Sequence, residues 1–198
     1  ANPLKVTISE EETTVDTSDT PGHDAFNLYS RAGITFEDKT TAGATITGAN
    51  NGIRASNLGF GALSITTTGT TTGGRYGIYA KNYGTGTPLS ITTTGTTTGT
   101  KYDGIYANNS SAGTSFTINA ATTTGGEDGI DADNEGSGAL SITTTGTTTG
   151  GTGYDGINAY NKSTGTSVTI NAATTIGGED GIVALNYGSG ALSITTTG

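Results

Sequence analysis

Carboxylates carry most of the chemistry available to this chain. Glu127, Asp128, Asp131, Asp133 and Glu135 crowd into one short stretch. Such a cluster could hold a divalent cation, or serve a carbohydrate lyase that pairs calcium with a basic proton acceptor. The three arginines, Arg31, Arg54 and Arg75, all lie far upstream, which argues against the lyase. The stretch Asp131-Ala132-Asp133-Asn134-Glu135-Gly136 copies the first half of an EF-hand loop, but Ile142 stands where the bidentate Glu is required. His23 is the only histidine, and there is no Cys. His23 adjoins Asp24, yet no serine is singled out as a nucleophile, so the expectation is a surface histidine and no catalytic triad. No cofactor and no metal site is expected, and the chain reads as no enzyme.

A second group is aromatic and basic: Arg54, Arg75, Tyr76, Tyr79, Lys81, Lys101, Tyr102 and Tyr106. Tyr and Arg are common anchors of protein interfaces. These eight are the candidate protein-binding residues. The competing reading is that outward positions simply drift.

The elements that must position both groups are repeats. A phrase of the form Gly-Ile-x-Ala-x-Asn begins at Gly52, Gly77, Gly104, Gly129, Gly156 and Gly181, in steps of 25, 27, 25, 27 and 25 residues. A fixed period of this size means one unit stacked on copies of itself. Each unit offers three candidate strands, such as Ile78-Tyr79-Ala80-Lys81, Leu89-Ser90-Ile91-Thr92 and Thr96-Thr97-Thr98, with glycine-rich turns between them. Strand side chains alternate between faces, so Ile78 and Ala80 share one side while Tyr79 and Lys81 share the other.

Registering the units produces apolar columns: the six Ile of the phrase, its six Ala, then Leu63, Leu89, Phe116, Leu140, Val168, Leu192, and Ile65, Ile91, Ile118, Ile142, Ile170, Ile194. The expected fold is therefore all-β, a single right-handed parallel β-helix (solenoid) of about 26 residues per coil, three short strands per coil and about seven coils. At about 4.8 Å per coil it would be about 35 Å long. A lone coil buries too few aliphatic groups to offset the entropy of ordering it, so stacking is obligatory.

A polar column, Asn57, Asn82, Asn109, Asn134, Asn161 and Asn186, follows the first strand. Stacked Asn amides can bond along the axis as a ladder, and Asn tolerates left-handed turns. Asp103, Asp128, Asp155 and Asp180 align just before the phrase and read as solvated turn residues capping backbone amides, with weak calcium binding as the alternative. Thr70/Thr72, Thr96/Thr98, Thr122/Thr124 and Thr147/Thr149 could form an ice-binding ladder, interrupted at Ile176.

Alternation at Leu4–Ile8 followed by an acidic, turn-rich stretch suggests an N-terminal cap over residues 1–23. Residues 24–198 are the repeats, and Ala25-Phe26-Asn27-Leu28 aligns as a degenerate early phrase. Other copies continue past the point matching Gly198, so the array reads as truncated at its C-terminal end.

Composition sets outer bounds. With 34 glycines, 45 threonines and 31% hydrophobic residues, an aperiodic chain would read as disordered. A formal charge of −9 disfavours nucleic-acid binding. No apolar run is long enough for a membrane-spanning helix.

Gly-Ile-Tyr-Ala-x-Asn joined to Leu-Ser-Ile-Thr-Thr-Thr-Gly-Thr-Thr-Thr-Gly resembles the passenger repeats of autotransporters (type V secretion), in particular those of the Bartonella group. The resemblance spans Gly52–Gly198 well and residues 1–51 loosely. It implies a passenger secreted to the bacterial surface or beyond, followed in the full-length protein by its own C-terminal outer-membrane barrel. A cysteine-free chain suits export through a narrow pore. The resemblance further implies a virulence factor that binds a host cell-surface protein or receptor, as an adhesin or as a released proangiogenic ligand. Ice binding and carbohydrate binding or cleavage remain the alternatives.

Overall fold

A computed structural model describes residues 2–11 and 13–198; of the expected N-terminal segment, Ala1 and Glu12 lie outside that set. The protein is an all-β parallel solenoid, and its described residues contain no helix. The first partial rung supplies β1 (Leu4–Ile8) and β2 (Thr14–Thr17). Two coils of three strands follow: β3 (Phe26–Ser30), β4 (Ile34–Asp38) and β5 (Thr45–Gly48), then β6 (Ile53–Asn57), β7 (Leu63–Thr67) and β8 (Thr70–Gly73). Later coils have two strands each: β9 (Ile78–Asn82) with β10 (Leu89–Gly99), β11 (Ile105–Asn109) with β12 (Phe116–Gly125), and β13 (Ile130–Asn134) with β14 (Leu140–Thr149). The last are β15 (Ile157–Asn161) with β16 (Val168–Ile176), and β17 (Ile182–Asn186) with β18 (Leu192–Thr196).

All pairing is parallel, between one coil and the next. One sheet of seven strands runs β3-β6-β9-β11-β13-β15-β17, and the larger sheet has eleven. The expected turn between the second and third segments is absent from β10 onward. There the backbone ladder runs through, with only a register shift between Thr93 and Thr96, and equivalent shifts at Ala120/Thr123 and Thr144/Thr147.

Strand alternation accounts for the core. Ile53, Ile78, Ile105, Ile130 and Ile157 form one column with no exposed surface, and Ala55 to Ala159 form the next. Phe26 pairs with Ile53, so the degenerate early phrase is in register. Upstream strands extend the other columns, with Leu4 under Ile34 and Ile34 under Leu63. On the last rung of the given sequence Leu192 and Ile194 are each 45% exposed.

The Asn column is a continuous internal ladder. Each Nδ2 donates to Oδ1 of the next coil, at 2.9 Å from Asn57 to Asn82, 2.9 Å to Asn109, 3.0 Å to Asn134, 2.7 Å to Asn161 and 2.7 Å to Asn186. The same amides donate to turn carbonyls such as those of Gly61 and Thr114. Among the described residues no non-glycine has a positive φ, so the ladder, and not left-handed backbone, explains these asparagines.

Threonine also points inward. Thr71, Thr97, Thr123 and Thr148 are fully buried, and their Oγ1 atoms have no hydrogen-bond partner. Their methyl groups pack on the glycine that opens each phrase. A Cβ built on Gly104 would lie 2.5 Å from Thr123 Cγ2 and 2.7 Å from the Gly129 carbonyl oxygen, which leaves room for hydrogen alone.

Candidate functional site

Outward positions of the seven-stranded sheet bring the predicted aromatic and basic residues onto one surface. Arg54 pairs with Tyr79 and Tyr79 with Tyr106 along one column, while Lys81 lies beside Asn108 in the next. Tyr79 and Tyr106 stack with centroids 5.1 Å apart and 15° between planes. Tyr76 and Tyr102, from the turns that precede β9 and β11, stack at 5.1 Å, and Tyr76 also meets Tyr79 at 5.0 Å and Tyr106 at 5.7 Å. Four rings therefore form one continuous aromatic floor.

All four cations of the group lie over these rings. Lys81 Nζ is 5.0 Å from the Tyr79 centroid and 5.5 Å from that of Tyr106. Arg75 is 4.9 Å, and Lys101 5.0 Å, from the Tyr102 ring. Arg54 bridges Tyr79 at 5.8 Å and Tyr29 at 5.4 Å. Such contacts contribute about 0.5–1 kcal/mol each at exposed sites and hold the long side chains in place. Among the described residues the ion pairs join Lys5 and Lys39 to Glu37 and Lys162 to Glu135, so no carboxylate neutralises these four cations. Tyr29 belongs to the same surface and lies outside the eight residues predicted. The alignment of Ala25–Leu28 with the repeat phrase already puts Tyr29 at the outward place that Ser56 fills one coil on, and the register agrees.

Burial and neighbouring charges tune the phenols. Burial, aided by the Asp103 carboxylate, pushes the Tyr76 hydroxyl up to about 12. Burial also raises Tyr106, whereas hydrogen bonds from Lys101 and Arg75 lower Tyr102.

The next rung reverses the charge. Tyr106 pairs with Asp131, and Asn108, whose Nδ2 donates to Asp133 Oδ2 at 3.0 Å, pairs with Asp133. Asp131 and Asp133 lie on β13, so the EF-hand-like stretch is a strand, and its Asn134 belongs to the internal ladder. Burial, reinforced by Asp128, Asp133 and Glu127, lifts Asp131 to about 7. Arg54 is three rungs from Asp131, about 14 Å at 4.8 Å per rung, beyond reach for shared acid–base chemistry.

The aligned aspartates do cap backbone amides, each accepting from the aspartate one coil on: Asp128 N–H to Asp103 Oδ1 at 3.0 Å, Asp155 N–H to Asp128 Oδ1 at 2.7 Å, and Asp180 N–H to Asp155 Oδ1 at 3.1 Å. They are not uniformly solvated, which corrects the sequence reading. Asp103 is 5% exposed, and burial, with the charges of Asp131, Asp128 and Glu127 around it, lifts its carboxyl to about 8. Among the described residues no group of three or more His, Cys, Asp or Glu is arranged to hold a metal ion.

His23 is exposed, and its neighbour Asp24 accepts from Asn50 Nδ2 and from both the N–H and Nδ2 of Asn51, so that carboxylate serves the fold. A shallow hollow of about 150 Å³ lies on the other sheet, where Ala121 sits between Thr94 and Thr145, and no titratable side chain lines it. The outward threonines form the expected ranks, extended upstream to Thr45 and Thr47 and broken at Ile176.

Fold and surface together define a parallel β-solenoid with a tyrosine and cation face. Comparison with protein-family models, curated proteins and solved structures finds no match to the chain.

Proposed function

We propose that the protein is a non-enzymatic display rod: the secreted or surface-exposed passenger of a bacterial autotransporter that binds a host cell-surface protein. The supporting observation is the four-ring floor of Tyr76, Tyr79, Tyr102 and Tyr106, held under cations that no described carboxylate pairs. Aromatic rings and arginines, already ordered by stacking on a rigid sheet, lose little entropy when a partner docks. The partner is a receptor ectodomain with an acidic surface, engaged either by an attached adhesin or by a released proangiogenic ligand. In this reading the solenoid winds right-handed with three β segments per coil, as parallel crossover connections almost always do. A C-terminal outer-membrane barrel of its own completes the full-length protein.

The test is capture from host-cell membranes on the immobilised chain, against a Tyr79→Ala/Tyr106→Ala variant. Loss of a specific membrane protein in the variant supports the reading, and equal capture by both chains overturns it. A second reading, ice binding, draws on the outward Thr ranks of β8, β10, β12 and β14, exposed at Thr70 and Thr96 and half-buried elsewhere, and predicts thermal hysteresis.

A further inference from the structure

The seven-stranded sheet carries both halves of an ionic interface on one face. Around the rung of β11, the rung before it is cationic and the rung after it is acidic. Turn lengths agree on both sides, since Gly73 to Gly77 and Gly125 to Gly129 each span four steps. Arg75 therefore holds the same place in its coil as Glu127, and Lys81 the same place as Asp133.

We propose that two copies of this chain pair face to face and antiparallel along their long axes, about a two-fold axis that runs with the strand direction through the rung of Tyr106. That operation leaves each position along the strand unchanged and exchanges the rungs of β9 and β13. It sets Arg75 opposite Glu127 of the second copy and Lys81 opposite Asp133, and it gives Tyr79 a carboxylate acceptor in Asp131. Because the interface is isologous, every contact occurs twice. Tyr106 and Asn108, on the axis, meet their own counterparts and are neutral. Lys101 would also meet itself, but it is exposed on a turn, where its long stem can carry the charge into solvent.

Three observations favour a second copy as the occupant. Two of the four cations, Arg75 and Lys81, meet a carboxylate at the matching position, while Arg54 faces the neutral Asn158. Neither Arg75 nor Lys81 has a described carboxylate partner within its own chain. The area is also adequate. Five rungs at about 4.8 Å by about nine residues at about 3.3 Å make about 700 Å² per copy, close to the roughly 800 Å² per partner of a stable interface.

Sedimentation equilibrium on the whole chain tests this without any host protein and so is read separately from membrane capture; because the dimer would cover the face that the display reading offers, a host partner would have to displace the second copy. The wild type should form a dimer. Lys81→Glu alone sets Glu against Asp133, and Asp133→Lys alone sets Lys against Lys81, so each should weaken self-association by about tenfold or more. An equimolar mixture of the two variants should regain the dimer, because only the mixed pair matches opposite charges on both sides. Arg75→Glu with Glu127→Lys repeats the experiment at a second matched pair, and circular dichroism verifies that each variant is folded. A wild type that stays monomeric across its soluble concentration range overturns the proposal. So do folded single variants that dimerise as well as the wild type, or a mixture that gains nothing.

Discussion

The ring of Tyr79 lies flat against that of Tyr106, 5.1 Å away with 15° between planes, although the two residues are 27 apart in the chain. Their backbones are direct register partners on β9 and β11. Register therefore builds the aromatic floor.

Truncating this pair should separate binding from stability. An aromatic stack contributes about 0.5–1.5 kcal/mol, and both rings point away from the core. Tyr79→Ala/Tyr106→Ala should therefore unfold only a few degrees below the wild type, while partner capture is lost. Melting curves read beside the capture assay check this.

The Asn ladder should respond far more strongly. Asn109 Nδ2 donates to the Thr114 carbonyl and to Asn134 Oδ1, and its Oδ1 accepts from Asn82. Asn109→Ala leaves those buried groups unpaired at about 1–3 kcal/mol each. Denaturant unfolding should show a loss of at least about 3 kcal/mol, and a melt that no longer fits one transition would place the break at this rung.

Removing a buried hydroxyl should have the opposite sign. Thr97 is fully enclosed, and its Oγ1 has no partner. Thr97→Val keeps the shape and relieves a polar burial, so a gain of about 1 kcal/mol is expected. By contrast, Gly104→Ala drives a methyl group into Thr123 Cγ2 and the Gly129 carbonyl and should cost about 1–3 kcal/mol. Urea midpoints for the two variants should move in opposite directions.

Stability should fall as pH rises through neutrality. Burial lifts Asp103 to about 8 and Asp131 to about 7, both above the usual carboxylate value of about 4. Between about pH 4 and 8 the folded chain then binds more protons than the unfolded chain, so the stabilisation is full below about pH 4 and is lost as pH climbs to about 8. Asp103→Asn keeps an oxygen for the Asp128 N–H and removes the titration. Its melting temperature should exceed that of the wild type at pH 8 by at least about 2–4 °C, equivalent to about 1 kcal/mol, with the gap closing toward pH 4. Parallel pH dependence of the two proteins would contradict the assignment.

Asp38 acts in the reverse direction. It is buried, yet hydrogen bonds from Thr68, Ala44 and Thr40 overcome the burial and hold its carboxyl well below the usual range. Its contribution is present above about pH 4 and declines as pH falls further. Thr68→Val, which removes a 2.6 Å hydrogen bond to Oδ2, should let the Asp38 carboxyl rise toward its usual range, so melts at neutral pH should show a lower stability and the decline on acidification should become shallower than in the wild type.

Much of this protein is legible along the chain, because strand alternation and a fixed period are both properties of sequence. Gly-Ile-x-Ala-x-Asn at steps of 25 and 27 determines which residues face inward, which coil neighbours which, and that six asparagines stand in line. Tertiary structure decided the rest. Asp103 and Asp128 occupy equivalent places before their glycines, yet the first is buried and the second only half-buried, since burial depends on the side chains that close over each turn. Tyr29, outside the eight predicted residues, joined the aromatic face through a contact between coils, the Arg54 guanidinium that lies over both its ring and that of Tyr79. Periodicity assigns a residue to a face, and only packing between coils sets how deeply it is covered and which charge or ring it meets there.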